Sequence, residues 1–257
     1  MTHPIRVGIG GWNYDDWRGR FYPDGLPQKR ELEYASRQLT AIEINSTYYG
    51  SQKPASFIKW REETPEGFVF AVKGPRFTTN RRELATAAES MERFFASGVM
   101  ELGDRLGPLN WQFADHKKFE AEDFAAFLDL LPREIGGRVL RHSVEVRHDS
   151  FADPAFVDLC RERGVAIVLA ADSAFPMIAE ATADFAYLRI MGTQEGETAG
   201  YSPADLDRWA ARAKALAEGR AAEDLSAAAP PREVFLFVIS GFKAANPDAA
   251  REIIRRL

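Results

Sequence analysis

Charged and amide side chains occupy alternate positions near the ends of several short apolar segments in this chain. The sequence Ile-Glu-Ile-Asn spans residues 42–45, and Phe-Ala-Val-Lys spans 70–73. The same alternation appears around Gln112, Glu145 and Arg189. Carboxylates of this kind supply general acids and bases, whereas lysine and arginine hold anionic groups. These residue types predict acid–base chemistry on a small polar or anionic substrate, such as a carbohydrate-like or phosphorylated molecule.

The carboxylates Glu43, Glu145 and Asp172 are the strongest catalytic candidates. Two carboxyl groups that face each other can divide into an acid and a base, because like charge and burial separate their pKa values. We therefore assign Glu43 and Glu145 as the acid and base. The alternative is that each carboxylate only neutralises a nearby cation, such as Lys73 or Arg189, inside an ion network.

Lys73 is the fourth catalytic candidate, because a lysine inside a barrel becomes a nucleophile when burial lowers its pKa. Acidic neighbours favour a high pKa for Lys73 instead, and with it an electrostatic or substrate-orienting role. Arg147 and Arg189 can bind phosphate or carboxylate through bidentate contacts. The basic loop 76–82 and the aromatic residues favour an alternative function, the binding or processing of nucleic acid.

Aromatic and amide side chains extend the predicted binding site. Aromatic faces stack on sugars and bases, and amides orient hydroxyl groups. Trp17 and Phe21 are interpreted as packing residues. The predicted substrate-binding residues are Trp12, Asn45, Tyr48, Gln112, Arg147 and Arg189.

Metal binding has weak support from the sequence. The four histidines have neither an H-x-x-x-H pattern nor clustered spacing, and there is no P-loop or G-x-S-x-G motif. A divalent cation held by Glu43, Glu145 and Asp172 is possible. No metal ligand is assigned.

Short apolar segments and segments of helical spacing alternate eight times along the chain. Predicted strands cover 5–11, 41–46, 68–74, 107–113, 142–148, 166–172, 185–191 and 233–240. Predicted helices cover 28–39, 54–63, 81–104 with a break near Gly98, 120–131, 153–163, 203–219 and 247–256; residues 174–181 hold at most one turn. This alternation predicts a single (β/α)₈ TIM-type barrel with eight parallel strands over residues 1–257. An open doubly wound sheet is the alternative, but the G-x-G-x-x-G turn typical of it is missing.

A barrel also predicts which way the side chains point. Successive residues of a strand face opposite sides, so the apolar positions should face the helices and the polar ones the barrel interior. The predicted outward set is Ile42, Ile44, Phe70, Val72, Leu109, Trp111, Val144, Val146, Leu188 and Ile190. The polar set then gathers at the carboxyl ends of the strands, where barrel enzymes place their active sites.

The bulk composition sets broad limits on partners and location. A net charge of −5 disfavours general attraction to nucleic acid or anionic membranes. The single cysteine, Cys160, is expected to be buried and fits a reducing cytoplasm. The N-terminus has no pattern of an export signal, and no apolar segment is long enough to span a membrane. These features predict a cytoplasmic protein.

Several sequence blocks together resemble the YecE-like family, known as domain of unknown function 72. The blocks are Gly-Gly-Trp-Asn-Tyr at 10–14, Trp-Arg-Gly-Arg-Phe-Tyr-Pro at 17–23, Glu-Ile-Asn-Ser-Thr-Tyr-Tyr at 43–49, Phe-Ala-Val-Lys-Gly-Pro-Arg at 70–76, Leu-Gly-Pro at 106–108, Gln112, Glu-Val-Arg-His at 145–148, Asp172 and Tyr-Leu-Arg at 187–189. The resemblance implies a TIM-type barrel but supplies no reaction. The chain differs from many members at Met191, where they have histidine, and at 240–241, where they have asparagines.

Overall fold

Eight parallel strands form a closed barrel in the computed structural model, which describes residues 3–222 and 225–257. Each strand pairs with its neighbours in sequence, and the last strand pairs with the first. The strands are β1 (Ile5–Gly10), β2 (Ala41–Ile44), β3 (Val69–Lys73), β4 (Leu106–Gln112), β5 (His142–Glu145), β6 (Ala166–Ala171), β7 (Phe185–Ile190) and β8 (Glu233–Val238). This topology confirms the predicted (β/α)₈ barrel and excludes the open sheet. The assignment of residues 1–257 to one domain stays a prediction.

Helices follow most of the strands and cover the outside of the barrel. They are α1 (Glu31–Gln38), α2 (Ser46–Tyr49), α3 (Pro54–Glu63), α4 (Arg76–Thr79), α5 (Ala88–Ala96), α6 (Ala121–Asp129), α7 (Pro154–Arg163), α8 (Pro203–Ala217) and α9 (Asn246–Arg256). The helical segment predicted at 81–104 is divided at Gly98, where φ is +98°, as expected. Residues 174–181 contain no helix, so the connection from β6 to β7 is an irregular loop.

The side-chain directions follow the predicted alternation. All ten residues of the outward set are buried in the apolar layer between strands and helices, together with Cys160. Inside the barrel, a separate apolar cluster contains Ala71, Val168, Phe185, Phe235 and Phe237. The middle of the interior is therefore apolar. The predicted charged set lies at the carboxyl end of the strands, and Arg6 and Arg141 pair with Glu233 at the amino end.

Toward its carboxyl end, strand β1 adds no side chain to the interior, because Gly8 and Gly10 occupy the inner positions there. A Cβ atom on Gly8 would lie 1.8 Å from the carbonyl oxygen of Ala41 on the adjacent strand. A Cβ atom on Gly10 would lie 2.6 Å from the Asn45 side-chain amide. Glycine at these positions allows β1 and β2 to approach closely.

Two details of the predicted elements were wrong. The predicted strands were too long at their carboxyl ends, so that Asn45, Arg147 and Asp172 lie in the loops beyond β2, β5 and β6. A two-stranded antiparallel hairpin at 134–139, with Gly136 and Gly137 in its turn, was not predicted. Such a turn requires positive φ, which Gly-Gly adopts readily. Among the described residues, no helix is both long and apolar enough to cross a membrane.

Candidate active site

A cavity of about 470 Å³ opens at the carboxyl ends of the strands. Its floor consists of side chains from β3, β4 and β7 and the loops after β2 and β5, and its walls come from the loops after β1 and β8. The lining residues are Gly10, Gly11, Trp12, Asn13, Tyr14, Trp17, Asn45, Ser46, Tyr49, Lys73, Gln112, Arg147, Arg189, Ile239, Ser240, Lys243 and Asn246. Four of these side chains are cationic and none of this described lining is acidic. The cavity is therefore suited to an anion.

The Arg189 guanidinium lies between two buried carboxylates at the centre of the barrel. Its Nη2 donates to Glu43 Oε1 at 3.1 Å, and its Nη1 donates to Glu145 Oε2. Burial alone would lower the pKa of Arg189, but the charges of Glu145 and Glu43 outweigh that effect and raise it. Arg189 is therefore a permanent cation that separates the two carboxylates.

Glu145 is fully buried and holds two arginines. Its Oε1 accepts from Arg147 Nε at 3.0 Å and Nη2 at 2.8 Å, while its Oε2 accepts from Arg189. Burial alone would raise the pKa of Glu145, but Arg189, Lys73 and Arg147 together lower it to about 2. The carboxylate is ionised at neutral pH, and its lone pairs are engaged by the arginines.

Glu43 is held in the same way from the opposite side of Arg189. Tyr187, an inward residue of β7, donates its hydroxyl to Glu43 Oε2 at 2.5 Å. Burial, followed by the negative charge of Glu43, raises the pKa of Tyr187 well above its ordinary value. Neither Glu43 nor Glu145 lines the cavity, so their positions disfavour the roles of acid and base that the sequence suggested.

Lys73 lies at the end of β3 with only 5% of its surface exposed, and it lines the cavity. Its Nζ donates to Gln112 Oε1 and lies 4.3 Å from the centre of the Tyr48 ring. Gln112 Nε2 in turn donates to the Tyr48 hydroxyl at 3.3 Å. These contacts fix the direction of the amine without a salt bridge to it among the described residues.

The expectation of a high pKa for Lys73 was wrong. Burial, and then the positive charge of Arg189, lower the pKa of Lys73 to about 8, against the opposing effects of Glu145 and Glu43. The two carboxylates are nearby, but they are paired with arginines. Lys73 is therefore surrounded by as much positive as negative charge, and burial decides the direction.

Asp172 does not join the other candidates. It follows β6, it is exposed, and its Oδ2 accepts from the Tyr201 hydroxyl at 3.0 Å. Its φ is +53°, and a Cβ atom on Gly192 would lie 2.7 Å from the Asp172 Cβ. The loop geometry turns Asp172 toward the segment after β7, away from the cavity lining.

The carboxylates considered for a divalent cation do not form a site. Within residues 3–222 and 225–257, no group of three or more histidine, cysteine, aspartate or glutamate side chains is arranged to hold a metal ion. The physical reason is the position of Arg189, which places a positive charge between Glu43 and Glu145. Asp172 is bonded elsewhere. Glu43, Glu145 and Asp172 therefore do not converge on one position where they could share a cation.

The structure divides the predicted site residues into two sets. Those that line the cavity are Trp12, Asn45, Lys73, Gln112, Arg147 and Arg189. Those that lie outside its lining are Glu43, Glu145, Tyr48 and Asp172. Tyr48 supports Lys73 from beside the cavity, and the neighbouring Tyr49, 67% exposed, lines the mouth instead.

Apart from Trp12, sequence reasoning missed the wall residues that the first and last loops contribute. Trp17 Nε1 donates to the Lys243 carbonyl at 2.8 Å, and Lys243 Nζ lies 5.8 Å from the centre of the Tyr14 ring. Ser240 adopts a left-handed backbone with φ +63°, stabilised by Asn246 Nδ2, which donates to its carbonyl at 3.2 Å. The cluster of aromatic residues after β1 was a usable signal, whereas the position of Lys243 was not.

Met191 and the basic loop 76–82 lie outside the cavity lining, whereas Ser240 is part of it. Met191 is buried, and its N–H donates to the Ala171 carbonyl, so the position where many members have histidine does not line the cavity. Ser240 does line it. In the basic loop, Arg81 donates to the carbonyls of Phe77 and Thr86, outside the cavity.

The chain belongs to the family described as "Protein of unknown function DUF72", whose model matches residues 6–257. It is 28% identical to UPF0759 protein YecE from Escherichia coli K12 over 148 residues, which are 57% of this chain and 50% of that protein. It is 24% identical to UPF0759 protein YunF from Bacillus subtilis over 159 residues, 60% of this chain and 54% of that protein. The chain thus spans about half the length of the curated relatives it matches. The predicted family is confirmed.

A solved structure shows the same fold. The crystal structure of a DUF72 family protein from Thermotoga maritima matches with a TM-score of 0.75 and 22% identity, and the match covers 98% of each chain. At this level of identity the likeness shows the fold alone. The function therefore has to be argued from the cavity.

Proposed function

We propose that this DUF72 chain is an enzyme that binds a small anionic, hydroxylated substrate in the central cavity and transforms it by acid–base chemistry, with Lys73 as the titrating group. The observation that carries this proposal is the charge of the lining, which has four cationic and no acidic side chains among the described residues. A cytoplasmic location, suggested by the single cysteine, belongs to the same proposal.

Charge balance supports an anionic ligand. The network combines two buried carboxylates, Glu43 and Glu145, with three cations, of which Lys73 and Arg189 are buried and Arg147 is partly buried. Buried charge without compensation is strongly unfavourable, so the excess positive charge next to the cavity favours the entry of an anion. Lys243 adds a further positive charge at the wall.

We assign the acid–base role to Lys73 because it changes its protonation state near neutral pH, whereas Glu145 does not. Glu145, with a pKa of about 2, is already ionised and is engaged by two arginines. Lys73, with a pKa of about 8, is present in both forms near neutral pH, which is the property required of an acid–base catalyst. It also lines the cavity. Glu43 and Glu145 are proposed to act as positioning residues for Arg189 and Arg147.

The other lining residues suit the remaining parts of such a substrate. Asn45 and Gln112 offer amide groups to hydroxyls, and Trp12 offers an aromatic face at the wall. Tyr22 holds the Trp12 segment in place, because its hydroxyl donates to the Trp12 carbonyl at 2.6 Å. Trp12 also packs edge to face against Trp60 at 5.2 Å. These two contacts restrain the position of Trp12 in the wall.

Calorimetric titration with anions of simple chemistry tests the binding step. Glycerol 3-phosphate, pyruvate and inorganic phosphate are the probes, and glycerol is the neutral control. Arg147→Gln should weaken anion binding by about tenfold or more because a cationic donor that lines the cavity is lost. Lys59→Met, at an exposed position, is the matched control and should have no effect. Equal binding of glycerol and glycerol 3-phosphate would contradict the proposal.

Turnover is tested separately by NMR on a panel of sugar phosphates, sugar acids and 2-oxo acids. Conversion of any member should disappear in Lys73→Met and persist in Lys59→Met. Anion binding without conversion of any panel member would favour a ligand sensor instead of an enzyme.

Nucleic-acid binding is the remaining alternative. It predicts steeply salt-dependent binding of DNA or RNA. That binding would be lost when Arg76, Arg81 and Arg82 of the basic loop are replaced by alanine.

A further inference from the structure

The Lys73 amine is arranged so that one side is used for positioning and the other faces the cavity. Its Nζ donates to Gln112 Oε1, and the Tyr48 ring lies 4.3 Å from it. Among the described residues, no carboxylate forms a salt bridge with Nζ. Since the acids of the network are bonded to arginines, the neutral amine has a lone pair free to attack a group bound in the cavity.

Gln112 and Arg189, which lie next to the Lys73 amine, also indicate the chemistry of the molecule that the amine attacks. Gln112 Oε1 accepts from Lys73 and lies 3.4 Å from Arg189 Nη1, so the amine and the guanidinium converge on one oxygen. Arg189 Nε has no acceptor among the described residues. Lys73, Arg147 and Arg189 line the same cavity, so a negative group bound beside either arginine lies near the Lys73 amine.

We propose that Lys73 forms a Schiff base with the carbonyl carbon of a small 2-oxo acid whose carboxylate is held by Arg147 and Arg189. This inference rests on the anionic substrate of the proposed function; it narrows that substrate to a 2-oxo acid and makes Lys73 a nucleophile as well as a titrating group. A 2-oxo acid places a carboxylate directly next to a carbonyl, which matches the adjacent cations and amine.

The reaction is balanced without any further reagent. The Nζ lone pair forms a bond to the carbonyl carbon, and the π electrons move to the oxygen to give a carbinolamine. The oxygen then leaves as water with the two amine protons, and a C=N double bond to Nζ remains. The imine withdraws electrons from the carbon–hydrogen bonds of the carbon next to the C=N group, which makes loss of a proton from that carbon easier.

Reductive trapping tests the inference directly. The full chain is treated with pyruvate or glyoxylate and sodium cyanoborohydride, and modified lysines are located by peptide mass mapping. At pH 7, an amine with a pKa of about 8 has on the order of 100-fold more neutral form than an ordinary exposed lysine. Lys73 should therefore be modified on the order of 100-fold faster than Lys59.

Two controls test separately the contact of the substrate carboxylate with the arginines and the identity of the labelled lysine. Methyl pyruvate lacks the carboxylate charge and should label Lys73 at least about tenfold more slowly than pyruvate, because the arginine contacts are lost. Lys73→Met should abolish the fast labelling and leave that of Lys59 unchanged. Labelling of Lys73 no faster than that of Lys59, or equal rates with methyl pyruvate and pyruvate, would overturn the assignment.

The calorimetric titrations distinguish failure of this inference from failure of the proposed function. If pyruvate or glycerol 3-phosphate binds and Arg147→Gln weakens that binding, but no adduct forms at Lys73, only the Schiff base is wrong. If none of the anions binds, the anionic substrate and the Schiff base are both wrong.

Discussion

Replacing Lys73 with methionine is expected to stabilise the protein at neutral pH and to remove the proposed activity. The pKa of Lys73 is lowered from 10.5 to about 8 in the folded chain, mainly by burial. A tenfold loss of proton affinity corresponds to about 1.4 kcal/mol, so the charged amine destabilises the fold by about 3 kcal/mol at pH 7. Loss of the bond to Gln112 costs about 1 kcal/mol. The net gain for Lys73→Met is therefore about 2 kcal/mol.

The pH dependence of that gain is the decisive measurement. Because the folded pKa of Lys73 is lowered, the unfolded chain binds the proton more tightly between pH 8 and 10.5. The stability of the unmodified protein therefore rises with pH through this window. The destabilisation caused by the charged amine falls to about 1.5 kcal/mol at pH 9.5. The difference in free energy of unfolding between Lys73→Met and the unmodified chain should therefore fall by about 2 kcal/mol between pH 7 and 9.5.

Urea denaturation of the unmodified chain and of Lys73→Met at pH 7 and 9.5 provides these free energies of unfolding. Comparing the two proteins at each pH cancels the titration of every other group, and the lost hydrogen bond does not vary with pH. Lys59→Met serves as a control whose effect should be small at both pH values. A difference between the unmodified chain and Lys73→Met that stays constant from pH 7 to 9.5 would refute the reasoning about the buried amine.

Three further substitutions test the network and the barrel by chemical denaturation. Glu145→Gln should destabilise the fold by roughly 3 to 5 kcal/mol, because Arg189 and its neighbouring arginine lose their buried counter-charge; a loss below about 1 kcal/mol would show that these charges are solvated. Tyr187→Phe should cost about 2 kcal/mol by removing the donor to Glu43, and an unchanged stability would count against that bond. Gly8→Ala should cost about 3 kcal/mol or more, because its Cβ would lie 1.8 Å from a carbonyl oxygen, and a well-folded variant with unchanged circular dichroism would disprove the close approach of β1 and β2.

The strand order and the side-chain directions were accessible from sequence because both depend on local periodicity. Alternation of apolar and polar residues along one strand decides which side chain faces inward, whatever the neighbouring strands do. Lys73, Gln112 and Arg189 were placed correctly inside the barrel on this basis. Tyr187 lies on the same inner face, but a tyrosine within an apolar segment carries no signal that it will bond to Glu43.

The pairing of the charges could not be predicted from the sequence, because it depends on distances between strands that are far apart along the chain. The acidic residues expected near Lys73 predicted a high pKa for its amine. In the structure, however, Glu145 is paired with Arg147 and Arg189. Lys243 lies in a loop with no periodicity, and it reaches the cavity only because the first and last loops are joined through Trp17. Loop conformation and charge pairing are properties of the assembled barrel.

The buried carboxylates and the open cavity have complementary roles. Arg189 is 3% exposed, and an arginine so deeply buried is stable only because Glu43 and Glu145 are both bonded to it. These ion pairs neutralise both carboxylates. Neither carboxylate then neutralises Lys73 or repels an anion from the floor of the cavity. In the proposed function, the carboxylates hold the arginines in place, and Lys73 is the buried cation of this network that can lose its proton near neutral pH.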